Sequence, residues 1–292
     1  MSGVQNNDPS KMKGMLTDVT KCIGCERCVE ACVRKNKLPR DFLAHFTGKD
    51  GLSGNRFTSI VKTPGPVKGK PRSVRRHCMH CLEPACAAAC LVGAFTKSAD
   101  GAVVYDDSKC IGCRYCMLAC AFSIPRYQYD KPLPYIRKCR MDERCRVKGG
   151  LTACTSACPT GATIFGPREE LIKEARRRIA AEPGKYIDHI FGETEFGGTS
   201  GLYISDVPID DVIKMPSKDK FKKWRVSRLE TESIPSMIEP WVWVTPAQFV
   251  AVSAGLAGVW AIKRRNKLMN PPPDESDEHA TEDNSKGGNH DA

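Results

Sequence analysis

The chain has 292 residues, with 45 Lys and Arg against 34 Asp and Glu for a formal net charge of +11, and sixteen cysteines. A chain of this length closes a hydrophobic core without covalent staples, so the cysteines are not there to rescue a small fold. No basic helix or zinc-finger pattern accompanies the positive charge, which argues against nucleic acid and leaves a solvated surface, part of it facing polyanionic groups or an acidic partner.

Residues 1–14 are polar and read as a flexible N-terminus. The stretch GMLTDVTKC predicts a strand that delivers the chain to a tight loop, CIGCERCVEAC, with a helix starting in CVEACVRKN. Cys22, Cys25, Cys28 and Cys32 form this first run. Residues 35–74, rich in Gly, Pro and Lys, show no clear period and read as a loop insert. The second run, HCMHCLEPACAAAC, holds Cys78, Cys81, Cys86 and Cys90. GAFTKSADGAVVYDDSKC follows, two strand-like runs around Asp100-Gly101 that predict a hairpin. It leads to the third run, CIGCRYCMLAC, with Cys110, Cys113, Cys116 and Cys120.

The fourth run holds Cys139, Cys145, Cys154 and Cys158. Within it, KCRMDERC places Asp142 where a second cysteine is expected. After CPTGATIFG, Pro167 opens REELIKEARRRIAAEPG, with acids early, bases late and Gly184 past the stop, which predicts a helix. Its arginine run reads as a solvated face. From Trp241 to Ile262 the chain runs 22 residues without a charge, closed by KRRNK. That length suits one bilayer crossing, and tryptophans near both ends fit an interfacial belt. Ala251, Ser253, Ala254, Gly255, Ala257 and Gly258 offer a small-residue face to other membrane helices. The tail beyond is acidic and poor in apolar residues.

Cysteines three apart in a long chain do not suit a disulfide framework. Structural zinc also uses CxxC pairs, but two pairs across a longer loop. Four thiols in eleven residues match the bacterial ferredoxin run C-x2-C-x2-C-x3-C, whose fourth cysteine ligates the other cluster of a pair. Four runs then mean four iron–sulfur clusters. The repeated order of strand, cysteine loop, helix and hairpin predicts an α+β fold of duplicated ferredoxin-like modules with loop insertions, plus one C-terminal transmembrane helix. A cluster held by four cysteines has no open site and moves single electrons. No phosphate-binding glycine loop and no Ser/His/Asp arrangement offers catalysis. His77 and His80, flanking Cys78, read as hydrogen-bonding groups that tune a cluster.

These runs, with CPTGATIFGPREELIKEA and FGETEFGGTSGLYISDVP, resemble the four-cluster iron–sulfur subunits of membrane-bound complex iron–sulfur oxidoreductases. Within that family the chain is most similar to the ferredoxin-like subunit of hydrogenase-2, with the beta subunit of formate dehydrogenase next. The resemblance covers about residues 14–265. It implies cross-paired ligand sets: Cys22, Cys25, Cys28 and Cys158; Cys32, Cys139, Cys145 and Cys154, with Asp142 as a rival ligand; Cys78, Cys81, Cys86 and Cys120; Cys90, Cys110, Cys113 and Cys116. The family pattern has cysteine at 142. Three outcomes stay open there: Cys145 completes a 4Fe–4S cluster, Asp142 ligates through oxygen, or the corner is empty and the cluster is 3Fe–4S. The first is preferred, because sixteen cysteines for four cubanes leave none spare. Val33, Leu91 and Ala121 also depart from the pattern, standing where proline commonly follows the fourth cysteine.

The expected organisation is a flexible terminus (1–14), a tandem 4Fe–4S domain (15–165), an extension packing on it (166–240), a transmembrane helix (241–263) and a polar tail (264–292). The expected function is a non-catalytic wire between a catalytic oxidoreductase subunit, hydrogenase or molybdopterin type, and a multi-helix quinone-reactive or cytochrome b subunit. A cluster-bearing enzyme with a labile iron at Asp142, or a zinc-bound structural subunit, are the alternatives. Lys263, Arg264, Arg265 and Lys267 put the C-terminal side in the cytoplasm. The cluster domain then lies in the periplasm, co-exported with a partner carrying the signal, since no apolar leader or twin arginine is seen. A cytoplasmic domain with a tail anchor is the alternative.

Overall fold

A computed structural model describes residues 11–39, 50–129, 135–213 and 231–269. Residues 1–10 of the expected terminus 1–14, the middle of the insert (40–49), residues 130–134 of the cluster domain, residues 214–230 of the extension and the tail from 270 lie outside the described residues. The chain forms two compact units, one ending at Met237 and one beginning at Ile238.

The first unit is built on a three-stranded sheet. Strand β1 (Lys13–Asp18) is central, antiparallel to β8 (Thr163–Pro167) and parallel to β9 (Gly201–Ile204). Side chains alternate across a sheet, and here each face has its own core. Met15 and Tyr203 pack into the cysteine-rich core with Cys32, Cys78, Cys139 and Cys154. Leu16, Leu202 and Ile204 pack against Leu171 and Ala175 of helix α5 (Arg168–Ala181).

The remaining elements are short and carry the cysteines. Helix α1 (Arg27–Lys35) follows the first loop, as expected. Helices α2 (Ala85–Ala88), α3 (Tyr115–Ala119) and α4 (Ala153–Ser156) follow the others. The Asp100-Gly101 hairpin forms as predicted, β4 (Phe95–Lys97) pairing with β5 (Val103–Tyr105). A two-residue ladder joins β6 (Arg126–Tyr127) to β7 (Ile136–Arg137).

Two expectations are corrected. The insert 35–74 is not all loop: Ser59–Thr63 and Arg72–Arg76 form an antiparallel pair, β2 and β3, with Val61 opposite Val74. The buried residues of β3 include Arg75 and Arg76, so the strand shows no apolar alternation. In α5, Arg176 and Arg177 are solvated, but Arg178 is not. It bonds Asp18 of β1 at 3.2 Å and Glu174 at 2.7 Å.

Two further helices close the chain, α6 (Asp210–Ile213) and α7 (Ile234–Met269). Ser233 starts α7 by accepting the Ser236 N–H at 3.1 Å, an N-cap bond that satisfies an orphan donor. Its 36 residues correspond to about 54 Å and include the expected span 241–263. Among the described residues, no helix is long and apolar enough to cross a membrane. The side chains of 238–247 lie outside the described residues.

Candidate metal centres

The first and third cysteine runs are built on one local plan. Asp18 and Asp106 each cap a 3-10 turn by accepting the N–H two residues on, from Thr20 and Ser108. The turn ends at Cys22 or Cys110. Gly24 and Gly112 then take φ of +70° and +73°, and Glu26 and Arg114, also left-handed, start helices α1 and α3. Glycine suits the left-handed position because it has no Cβ to clash. His80 and Met141 hold the same place in the other two runs, two residues after Cys78 and Cys139, with φ of +48° and +57°. All four runs therefore share a left-handed residue two positions after their first cysteine, including the one in which Asp142 replaces cysteine.

The turns gather thiols from distant runs. Cys22, Cys25, Cys28 and Cys158 line a recess of about 340 Å³ together with Arg75. Burial pushes the thiols of Cys22 and Cys28 up, and Cys158 among their neighbours acts the same way. Cys158 itself is held below the ordinary value. Burial raises it, but the backbone N–H groups of Thr163, Thr160 and Ala162 and the Thr160 hydroxyl outweigh that.

Cys32 is pushed up to about 12 by burial and by Cys154 and Cys145. Cys139 is raised by burial and by the same two thiols and Cys32. Cys81, Cys86 and Cys120 line a second recess, of about 310 Å³. Burial raises Cys81 and Cys86, and Cys120 and Cys78 add to both. Cys116 is pushed up to about 12 by burial and by Cys110, Cys90 and Cys113. The sixteen cysteines are all free thiols.

In KCRMDERC the two rival residues face different partners. Asp142 caps a 3-10 turn over Glu143–Cys145, accepting the Arg144 N–H at 3.0 Å on one oxygen. Its other oxygen accepts the Arg144 guanidinium at 2.8 Å and 2.5 Å. Cys145 is buried, and its thiol is pushed up to about 12 by burial, then Cys154 and Asp142.

Sequence reasoning missed a set of buried cations beside these thiols. Arg75, 1 % exposed, donates to Cys154 Sγ at 3.0 Å and to Thr58 Oγ1 at 3.1 Å. Lys97 donates to the carbonyls of His80, Cys81 and Gly101, and Lys138 to those of Val103 and Cys139. Among the described residues none of the three has a carboxylate partner. The available signal was nearness alone, since Lys138 directly precedes Cys139 and Arg75 stands three residues before Cys78.

His77 and His80 are fully buried, with protonation disfavoured by burial and then by Arg75 and Lys138 respectively. His77 Nδ1 donates to the Cys78 carbonyl at 2.7 Å, and His80 Nδ1 accepts the Val103 N–H at 2.9 Å. The Nε2 atom of each ring finds no partner in the chain.

These residues fit thiolate-bound clusters. Soft thiols in quartets, unpaired buried cations and the unpartnered Nε2–H of His80 together suit an anionic group with sulfur acceptors. They do not suit one metal ion, because among the described residues no three His, Cys, Asp or Glu side chains converge on a single-ion site.

The 4Fe-4S dicluster domain family matches residues 72–168. A protein of Nitratidesulfovibrio vulgaris is 44% identical over 201 residues, 67% of this chain and 54% of that one. The hydrogenase-2 operon protein HybA of Escherichia coli O157:H7 is 33% identical over 302 residues, 91% of this chain and 88% of that one. The iron–sulfur subunit of the nitrate-inducible formate dehydrogenase of Escherichia coli K12 is 34% identical over 198 residues, 65% and 66% of the two chains.

Proposed function

Because the chain belongs to the family of oxidoreductase iron–sulfur subunits that includes hydrogenase-2 operon protein HybA, we propose that it relays electrons through four clusters. It is an iron–sulfur electron-transfer subunit. One end of the relay meets a catalytic subunit of hydrogenase or molybdopterin type, and the other a multi-helix quinone-reactive or cytochrome b subunit.

The observation that carries the reading is the gathering of thiols from separate runs into four quartets. Cys22, Cys25, Cys28 and Cys158 hold cluster 1; Cys32, Cys139, Cys145 and Cys154 hold cluster 2. Cys78, Cys81, Cys86 and Cys120 hold cluster 3; Cys90, Cys110, Cys113 and Cys116 hold cluster 4. The quartets form a series. Cys28 faces Cys154, joining the first two, and Cys139 faces Cys78, joining the second and third. Cys86 and Cys116 share one apolar cluster, joining the third and fourth. When bound, each cluster takes up and releases one electron. The chain contributes thiolates, buried counter-charge and a dry surrounding, the parts of an electron carrier rather than of a catalytic subunit.

All four clusters are 4Fe–4S, with Cys145 as the ligand that the missing cysteine at 142 would have supplied. Both oxygens of Asp142 are engaged by Arg144, which disfavours an oxygen ligand.

The uncharged run 241–262 anchors the subunit in the inner membrane, with the tail after Lys263 in the cytoplasm and the clusters in the periplasm by co-export. Its apolar side chains Val250, Val252, Leu256, Val259, Trp260 and Ile262 are all more than half exposed. That favours lipid or membrane helices as their surroundings.

Low-temperature electron paramagnetic resonance of the anaerobically purified complex, with iron and sulfide counted on the same sample, tests the relay. Four complete clusters give about sixteen irons and no 3Fe–4S signal when oxidised. A colourless, iron-free complex sinks the reading.

A further inference from the structure

We propose that Arg75 sets the reduction potentials of two clusters together, those of the Cys22 and Cys32 quartets, by standing between them as a buried fixed positive charge. The inference rests on the four-cluster reading above and goes beyond it, to which residue holds which clusters at a usable potential.

The geometry is specific. The Arg75 guanidinium donates to Cys154 Sγ at 3.0 Å, in the second quartet, and lines the recess formed by the first. Its remaining contacts are neutral: Thr58 Oγ1 at 3.1 Å and Met15 Sδ at 3.6 Å. The facing groups are thiols of both quartets, Cys154, Cys28 and Cys139.

Arg76, the next residue, is equally buried but differently served. It pairs with Asp50 at 3.3 Å and donates to the carbonyls of Ile213 and Phe122 at 2.7 Å and 2.8 Å. Two adjacent buried arginines thus divide the work. One shares the Asp50 carboxylate with Arg126 and braces the fold through two carbonyls. The other has its charge left for the thiols.

A buried charge without a counter-charge is costly. Anionic thiolate-bound clusters on two sides of Arg75 supply that counter-charge. One-electron reduction adds one negative charge to a cluster and no proton, with the electron coming from the redox partner at the end of the relay. A fixed cation at hydrogen-bond distance in a dry interior favours the reduced form, and hydrogen bonds to the sulfurs act in the same direction. Arginine suits the place because it stays charged and its fork reaches several acceptors at once, here sulfur and a hydroxyl.

The test is a redox titration of the anaerobically purified complex followed by electron paramagnetic resonance, comparing the unaltered chain with Arg75→Met and Arg75→Lys, iron being counted in each. The expected result for Arg75→Met is a tenfold or larger loss in the reduction equilibrium of two clusters, about 59 mV for one electron. The other two stay in place, and Arg75→Lys recovers most of the shift.

Unmoved potentials with a full iron count overturn the proposal, and so does a uniform shift of all four. An unaltered complex short of four clusters instead overturns the reading beneath it. Should neither variant retain iron, the unaltered chain labelled with nitrogen-15 arginine decides. A nitrogen coupling from a guanidinium to a reduced cluster is expected, and its absence overturns the proposal.

Discussion

Asp142 and Arg144 are locked to each other, the carboxylate taking the Arg144 N–H at 3.0 Å and its Nε–H at 2.8 Å. The pair shapes the turn that ends at Cys145, in a run that keeps the left-handed backbone of the other three.

Asp142 caps this turn, and the proposed reading leaves ligation to Cys145. Asp142→Ala costs about 1 kcal/mol, as a lost N-cap does, and leaves iron content unchanged. Cys145→Ser lowers the count by about one iron and produces a 3Fe–4S signal in the oxidised sample. Iron analysis with resonance spectra on both variants checks this. Loss of iron in Asp142→Ala alone would reverse the two roles.

Gly24 and Gly112 share a left-handed backbone but not a neighbourhood. A Cβ at Gly24 meets Ser73 Oγ at 2.5 Å, whereas at Gly112 the nearest atom is the Tyr127 hydroxyl at 3.3 Å. Both alanine variants incur the left-handed cost of roughly 1–2 kcal/mol. Gly24→Ala loses its cluster faster on warming, and adding Ser73→Ala recovers the difference between the two but not the common part. Bleaching rates of the visible absorbance read this directly.

The cysteine loops, the strand into the first of them, α1, the hairpin and α5 were legible because each rests on local chemistry: turn glycines, capping aspartates and short spacings. The β2–β3 pair was not, since its buried side chains include Arg75 and Arg76 and the alternation on which strand reading depends is absent. Arg178 was read as solvated for the related reason that its partner, Asp18, lies 160 residues away in sequence. Long-range ion pairs leave no periodic trace. The buried cations beside the thiols belong to the same class, visible only once the fold brings the runs together.

Asp18 joins the first cysteine turn to helix α5. Its carboxylate accepts from the Thr20 N–H at 3.1 Å and hydroxyl at 2.7 Å, Tyr186 at 3.1 Å and Arg178 at 3.2 Å. Asp18→Ala removes the Thr20 cap, the acceptor of the Tyr186 hydroxyl and one of the two carboxylates on Arg178, and is expected to cost about 2 kcal/mol. Glu174→Gln, on the more exposed side of the same arginine, costs under about 0.5 kcal/mol. Anaerobic guanidinium unfolding separates the two variants, and equal midpoints would contradict the assignment.

Asp100 ties the hairpin to β1 and to the fourth run, its carbonyl accepting the Lys13 N–H at 3.0 Å and its carboxylate pairing with Arg146. Burial acts to raise this carboxyl, but hydrogen bonds from Ser98 and Arg146 outweigh it and hold it below the ordinary 3.8. A depressed carboxylate contributes stability fully above its unfolded value and loses it as pH falls through the folded one. Asp100→Asn therefore bleaches faster than the unaltered protein at pH 5, and the two rates converge as pH drops below about 3.8. Rates that stay apart in acid would place the effect elsewhere.

The anchor prediction concerns α7, whose 36 residues begin beside Ser233. A run of 22 uncharged residues matches the roughly 20 needed to cross a hydrocarbon core, and four basic residues follow it at 263–267. A bilayer-spanning segment resists alkaline carbonate, whereas a surface-bound subunit is released by it. The full chain is therefore expected in the carbonate-resistant membrane fraction even when its partner subunits are absent. A chain ending at Met237 is expected in the soluble fraction with its iron count intact, because the cysteines and all three apolar clusters precede that point. Replacing Leu256 with Arg near the middle of the run costs about 3 kcal/mol of insertion and shifts the chain toward the soluble fraction. Full release of the unaltered chain by carbonate would show that the run docks on protein rather than lipid.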